Sequence, residues 1–458
     1  MFCVSKEAAL PECSINVVIY PPEINAMLPN CTTKLAIGFY AQTALFTTMT
    51  VDLEPLLAVF RRWLAVREDT VVELLAGFWL AHQLPSDPVW FILVGPSSDA
   101  KTELLRAFSV HNTVVMNKVT ARTIISGRTD GASSLFMKRM NNRIWAVFDI
   151  SNILALYPQD RKMVFAQMRD LYDGHLTAGY GTAKTVDERI YTSFIAAATP
   201  RFEETFAEQQ ALGTRHLIVK TMPPTSESVF QHIRNQLGNE DMMRYQMAEV
   251  VRSTFEDYSP EWVRADDKTE ARLQTLVKIV TTLRTFVQFD TYRNEVSAIV
   301  DKEGVGRAKK NFDKLYSGLM NIASMTPDHA LDLIAHVAKS NASNIRYQTL
   351  LHLYRSEDLR PQELSEYLRV GVSTAYRHLR ALYALGIIER LGEREKYALT
   401  DQWRDYQQWF AHDLADLTVP NSADNLAQEA RLAAEKKDAQ RERQEKRAES
   451  SRRKYLMY

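Results

Sequence analysis

Apolar residues recur three and four positions apart through LEPLLAVFRRWLAV and TVVELLAGFWLAHQL, so residues 53–83 read as helical. The pattern then changes. Behind Pro85 and Pro88, WFILV is an unbroken apolar run of the kind a buried strand shows, and TELLRAF returns to helical spacing. Three more buried-strand runs follow: RIWAVFDIS at 143–151, RIYTSFIAAATP at 189–200 and RHLIVKTM at 215–222. Helical stretches such as DRKMVFAQMRDLYDG lie between them, which predicts a parallel sheet covered on both faces. From about 226 to 340 the periodicity is wholly helical. Past 401 the chain is amphipathic and then highly charged, as in LAQEARLAAEKKDAQRERQEKRAESSRRK, which predicts a charged helical or disordered tail.

The pattern divides the chain into a lead-in at 1–52 with short strands, an α/β core at 53–225, a helical lid at 226–340, a separate module at 341–400 and a tail at 401–458. A length of 458 residues is consistent with several domains. Lys+Arg and Asp+Glu both number 56, so the net charge is zero and any basic surface must be local. No apolar run approaches a membrane span, and MFCVSKEAALPEC does not read as a signal peptide. The three cysteines, Cys3, Cys13 and Cys31, fit no zinc spacing, so a reduced, cytoplasmic protein is expected.

Candidate chemistry begins directly after WFILV. The stretch GPSSDAKT, comprising Gly95, Pro96, Ser97, Ser98, Asp99, Ala100, Lys101 and Thr102, stands between a strand and a helix, as a phosphate-binding loop must. In such a loop the backbone N–H groups wrap the phosphates of ATP. The lysine, Lys101, neutralises terminal oxygens, and the hydroxyl, Thr102, holds Mg²⁺. Two residues depart from the usual pattern. Ala100 replaces glycine, at a cost of about 1 kcal/mol if its φ must be positive, and Asp99 puts a negative charge near the phosphates unless it points to solvent. Asp149, at the end of RIWAVFD, would reach the same sheet edge and help hold the metal. Ile150 follows it, so no second acid stands beside it to activate water.

Taken together, WFILVGPSSDAKTELLRAF, VTARTIISG, VFDISNIL, QMRDLYDGHLTAGYGTAKT, IAAATP and LGTRHLIVK resemble the AAA+ ATPases of phages, plasmids and integrated elements, helicase-like proteins distantly similar to minichromosome maintenance helicases. The resemblance spans about 70–400. It implies a P-loop core and an oligomeric ring or arc. It also implies that Thr199 orients water, that Arg215 is a finger reaching a neighbouring subunit's nucleotide, and that Arg307 is a second sensor on the lid. The hairpin around DGHLTAGYGTAKT would project toward DNA, with His175 and Lys184 available to phosphates.

Residues 346–400 read as a winged helix-turn-helix. The expected order is a helix at 346–354, a second opened by Pro361, the turn VGV, and a third capped by Ser373, with a two-stranded wing turning at Gly392. Its third helix would offer Thr374, Tyr376, Arg377 and Arg380 to DNA, and its wing Arg390, Arg394 and Lys396. The expectation is an ATP-binding, ATP-hydrolysing protein acting on DNA in replication of a mobile element, as motor or loader. The alternatives are an ATP-gated DNA-binding regulator that does not hydrolyse, and a transposition or packaging accessory.

Overall fold

Among the described residues, seven strands follow one another between 90 and 220: β1 (Trp90–Val94), β2 (Thr113–Val115), β3 (Arg143–Val147), β4 (His175–Gly179), β5 (Thr185–Arg189), β6 (Thr192–Ala198) and β7 (Leu217–Lys220). Five of them form one sheet in the order β2-β3-β6-β1-β7, with every neighbouring pair parallel. The computed structural model describes residues 50–416 apart from 68, 98, 111, 125–138, 180–184, 206–214, 291–294, 301–303 and 393–394. All of these belong to one compact unit. The lead-in at 1–49 and the tail from 417 lie outside the described residues.

The continuous apolar runs form the centre of the sheet because both of its faces are covered. All of WFILV is buried, and so is all of TSFIAAA in β6. Successive residues of β1 point to opposite faces. Phe91 and Leu93 pack into one apolar cluster with the helices Glu54–Trp63 and Thr70–Gln83, and Trp90, Ile92 and Val94 pack into a second with Trp145 and Phe194. Apolar periodicity misses β2, because TVV is three residues long and only half-buried. β4 and β5 pair as the expected antiparallel hairpin, which extends to Arg189.

The free edge of β7 is closed by side chains rather than by another strand. The Asn341 side-chain oxygen accepts from Ile218 N–H at 3.2 Å, and its amide donates to Ile218 C=O at 3.3 Å. Ser340 Oγ accepts from Lys220 N–H at 3.0 Å, and His336 Nε2 bonds Lys220 C=O at 2.8 Å. An edge strand thereby loses its open donors and acceptors.

Three expectations are corrected. The stretch 226–340 is not wholly helical: β8 (Phe286–Phe289) and β9 (Val296–Val300) form an antiparallel hairpin within it. Their aromatic and β-branched residues favour an extended chain, a local signal overlooked beside the helical spacing around it. The module beyond 341 is not separate from the rest. Leu350, Leu364 and Leu379 share a cluster with the helices before the sheet. Half-buried Arg346 also donates to the carbonyls of Leu283 and Thr285, the latter at 2.9 Å, at the end of the helix Asp267–Arg284. Burial lowers the Arg346 pKa to about 10. Finally, residues 401–416 belong to the core, since Trp403, Tyr406, Trp409 and Phe410 are buried.

The winged helix-turn-helix itself forms as expected, from helices Asn344–Arg355, Pro361–Leu368 and Val372–Ala384 and the wing strands β10 (Ile388–Leu391) and β11 (Lys396–Leu399). Gly392 turns the wing at φ +60°. The third helix starts two residues early, with Gly371 rather than Ser373 at its N-cap and no side-chain cap. Among the described residues, no helix is long and apolar enough to cross a membrane.

Candidate functional site: a phosphate-type loop at the sheet edge

Parallel register brings the ends of three strands to one edge. Val94 of β1 pairs with Ala198 of β6, and Val147 of β3 with Ala196. Gly95, Asp149 and Thr199 therefore leave the sheet side by side. The backbone ties them further: Gly95 N–H donates to Ala198 C=O at 3.2 Å, and Ile150 N–H to Ala197 C=O at 3.0 Å.

Lys101 opens the helix Lys101–Ala107 and is 7% exposed. Its ammonium donates to the carbonyl of Gly95 at 2.9 Å and to that of Pro96, so the loop wraps its own lysine. Burial lowers the Lys101 pKa, and the charges of Asp99 and Asp149 oppose that shift. Asp149 is thus close enough to act on Lys101, and the loop lysine and the strand-end acid lie in one neighbourhood. Asp149 is exposed, and one of its oxygens accepts Ser151 N–H at 2.9 Å. Thr102 and Ser97 are exposed, Pro96 is half-buried, and Ser98 lies outside the described residues. Thr199 is half-buried behind β6, and its carbonyl accepts Phe202 N–H at 2.9 Å.

Ala100 adopts the left-handed conformation, with φ +48° and ψ −2°. This is the region where a methyl group is strained and glycine is not. Asp99 does not point to solvent. Its carboxylate is half-buried and accepts a hydrogen bond from the hydroxyl of Thr221, just past β7. Gly95 is required where these side chains cross, since a Cβ there would stand 1.8 Å from Thr221 Oγ1 and 2.6 Å from Asp99 Oδ2. Thr221 is the neighbour of this loop that sequence reading missed, and only the strand order reveals it.

Arg215 and Arg307 are not brought to this loop. Arg215 precedes β7 and pairs with Asp173 through Nη2 at 2.9 Å and Nε at 3.2 Å. Its guanidinium carbon lies 5.9 Å from the ring of Tyr172, and that of Arg307 lies 5.8 Å from the same ring. Tyr172 meets Trp90, the first residue of β1, at 5.4 Å between ring centroids. Both arginines thus sit where the strands begin, a β1 length of roughly 15 Å from where they end. Arg307 is placed away from its own chain's loop, and Arg215 could act only on a second copy's.

In the winged helix, Tyr376 donates to Glu395, and Arg380 Nη2 donates to Tyr376 Oη at 3.0 Å. Arg377 is exposed and lies 4.6 Å from the ring of Phe289, so the β8–β9 hairpin supports the third helix. Lys396 pairs with Asp358 at 2.8 Å. Thr374 is half-buried, Arg390 is exposed on β10, and Arg394 lies outside the described residues. On the hairpin β4–β5, His175 pairs with Asp187, and Lys184 lies outside the described residues.

Loop and module meet at the end of β7. Lys220, beside Thr221, pairs with Glu203 at 2.7 Å and donates to Ala342 C=O at 2.8 Å. Glu203 also accepts Asn344 N–H at 3.1 Å, at the start of the module's first helix.

No curated protein matches the chain. Residues 345–390 match the family described as bacterial regulatory protein, arsR family. That segment covers the three helices and the start of the wing, so the chain carries a helix-turn-helix of this kind on a parallel-sheet core, and the match points to DNA as the module's partner.

Proposed function

We propose that the chain is an ATP-binding protein acting on DNA, an AAA+-like, helicase-like motor or loader in replication of a mobile element, with ATP and Mg²⁺ held at the Gly95–Thr102 loop. One observation carries the reading: Lys101 is buried behind β1, and the charge of Asp149, just past the end of a strand two places away, acts on it. The residues suit magnesium bound together with phosphate. Among the described residues, no group of three or more His, Cys, Asp or Glu could hold a metal alone. Mg²⁺ commonly takes one or two protein oxygens and completes its shell with phosphates and water. Thr102 and Asp149 would supply those oxygens. Lys101 would exchange its loop carbonyls for phosphate oxygens, and Thr199 would orient water.

A second reading, an ATP-gated DNA-binding regulator without turnover, is favoured by Asp99 inside the loop and by Ile150 in place of a second acid. ATP turnover measured with and without single- and double-stranded DNA separates the two. A motor hydrolyses faster with DNA and loses this in Lys101→Ala, and a regulator binds ATP without hydrolysing it. For a motor, Arg215→Ala abolishes turnover in the assembled ring or arc and spares nucleotide binding. If Asp173→Asn produces the same loss, Arg215 acts within its own chain and the finger role falls.

A further inference from the structure

Asp99 is the odd residue of the loop, and its surroundings give it a task. Its carboxylate lies over Gly95, bonds the Thr221 hydroxyl across the β1–β7 junction, and acts on the charge of Lys101. Lys101 is meanwhile held by the carbonyls of Gly95 and Pro96 at the loop's other end. The loop is therefore closed on itself by its lysine, and its anion is tied to β7 beside that lysine. Resting on the phosphate-loop reading above, we propose that Asp99, positioned by Thr221, is an internal anionic strap that competes with nucleotide phosphate for Lys101 and sets the loop's affinity.

The competition is electrostatic. An ionised carboxylate beside Lys101 repels an incoming phosphate and satisfies part of the lysine's charge. A neutral group of the same shape does neither. Thr221 is a positioning residue: its hydroxyl stabilises the ionised form of a carboxyl that burial otherwise disfavours. Lys101 is the charged group that acts on Asp99, and Asp149 faces Lys101 from the end of β3. Below its folded pKa, which burial raises above the ordinary carboxylate value, Asp99 is neutral and the strap is loose. Above it, the strap is charged and competes.

The test is a titration of the full chain with a ribose-labelled fluorescent ATP and Mg²⁺, from about pH 5 to 8. Asp99→Asn binds about tenfold tighter at neutral pH. Its affinity follows only the phosphate's own ionisation, which every variant shares. Thr221→Val moves the inflection of the Kd–pH curve upward, because the buried carboxyl has lost its donor. A variant that merely loosened the fold would move no inflection. If wild type binds, Lys101→Ala does not, and Asp99→Asn matches wild type at every pH, the strap is wrong and the phosphate loop stands. If wild type, Asp99→Asn and Lys101→Ala all fail to bind while remaining folded, the phosphate-loop reading itself falls, and the strap with it.

Discussion

Gly95→Ala probes the loop's tightest point. The added Cβ would stand 1.8 Å from Thr221 Oγ1, 2.6 Å from Asp99 Oδ2 and 3.1 Å from Thr221 Cβ. The first two contacts are impossible, so both side chains must turn away and the bond between them is lost. A hydrogen bond to a charged group is worth about 1.5–3 kcal/mol, and forcing a methyl into a packed site costs about 1–3 kcal/mol more. Gly95 has no left-handed backbone to protect, so sterics alone decide. We expect a loss of about 3 kcal/mol in urea unfolding, with an unchanged m-value. Thr221→Ala removes the nearest atom, which leaves the Thr221 Cβ at 3.1 Å and the Asp99 Oδ2 at 2.6 Å, the latter now without the hydroxyl that held it there. The double variant is therefore more stable than the sum of the singles by about 1–2 kcal/mol. A Gly95→Ala cost below about 0.5 kcal/mol, or additive singles, would refute the crossing of Thr221 and Asp99 over Gly95.

Further outcomes follow from other parts of the fold. Asn341→Ala strips the β7 edge of the side chain that pairs Ile218, and should cost about 2–3 kcal/mol and speed amide exchange at Ile218; unchanged protection there would mean that the edge is closed by other means. His82 is buried against Ser193 with a pKa lowered to about 4, below the ordinary value of 6.5. Its contribution is full above the unfolded pKa and is lost as pH falls through 6.5 toward 4, about 3 kcal/mol in all. His82→Gln should flatten stability across that window, and an unaltered pH slope would exclude it. Arg377→Ala should weaken duplex DNA binding in fluorescence anisotropy and reduce the salt slope by about one, whereas identical curves would take Arg377 out of the interface.

The buried strands were legible because a parallel sheet covered on both faces leaves an apolar run with no alternation. WFILV and TSFIAAA are such runs, and both lie wholly in the core. The winged helix was legible from Pro361, VGV and Gly392, whose backbone demands are local. Positive φ at Ala100 was posed as a condition by the loop pattern alone, and the chain meets it. Long-range placement was not legible. Thr221 reaches Asp99 only because β7 lies beside β1, and nothing in the spacing of residues 99 and 221 encodes that. Arg307 was assigned by resemblance to the loop's end of the sheet, yet its helix crosses the other end, where Lys310 pairs with Asp87 at 2.9 Å ahead of β1. The β8–β9 hairpin hid inside a helical stretch because four- and five-residue strands are too short to break a 3.6 period.

The central claim is that Lys101 and its loop receive nucleotide phosphate. It is tested most directly by isothermal titration of MgATP into the full chain and into Lys101→Ala, with circular dichroism showing both to be folded. Saturable binding to the wild type that weakens at least tenfold in Lys101→Ala is the predicted result. Equal heats from both chains, or none from either, would contradict it.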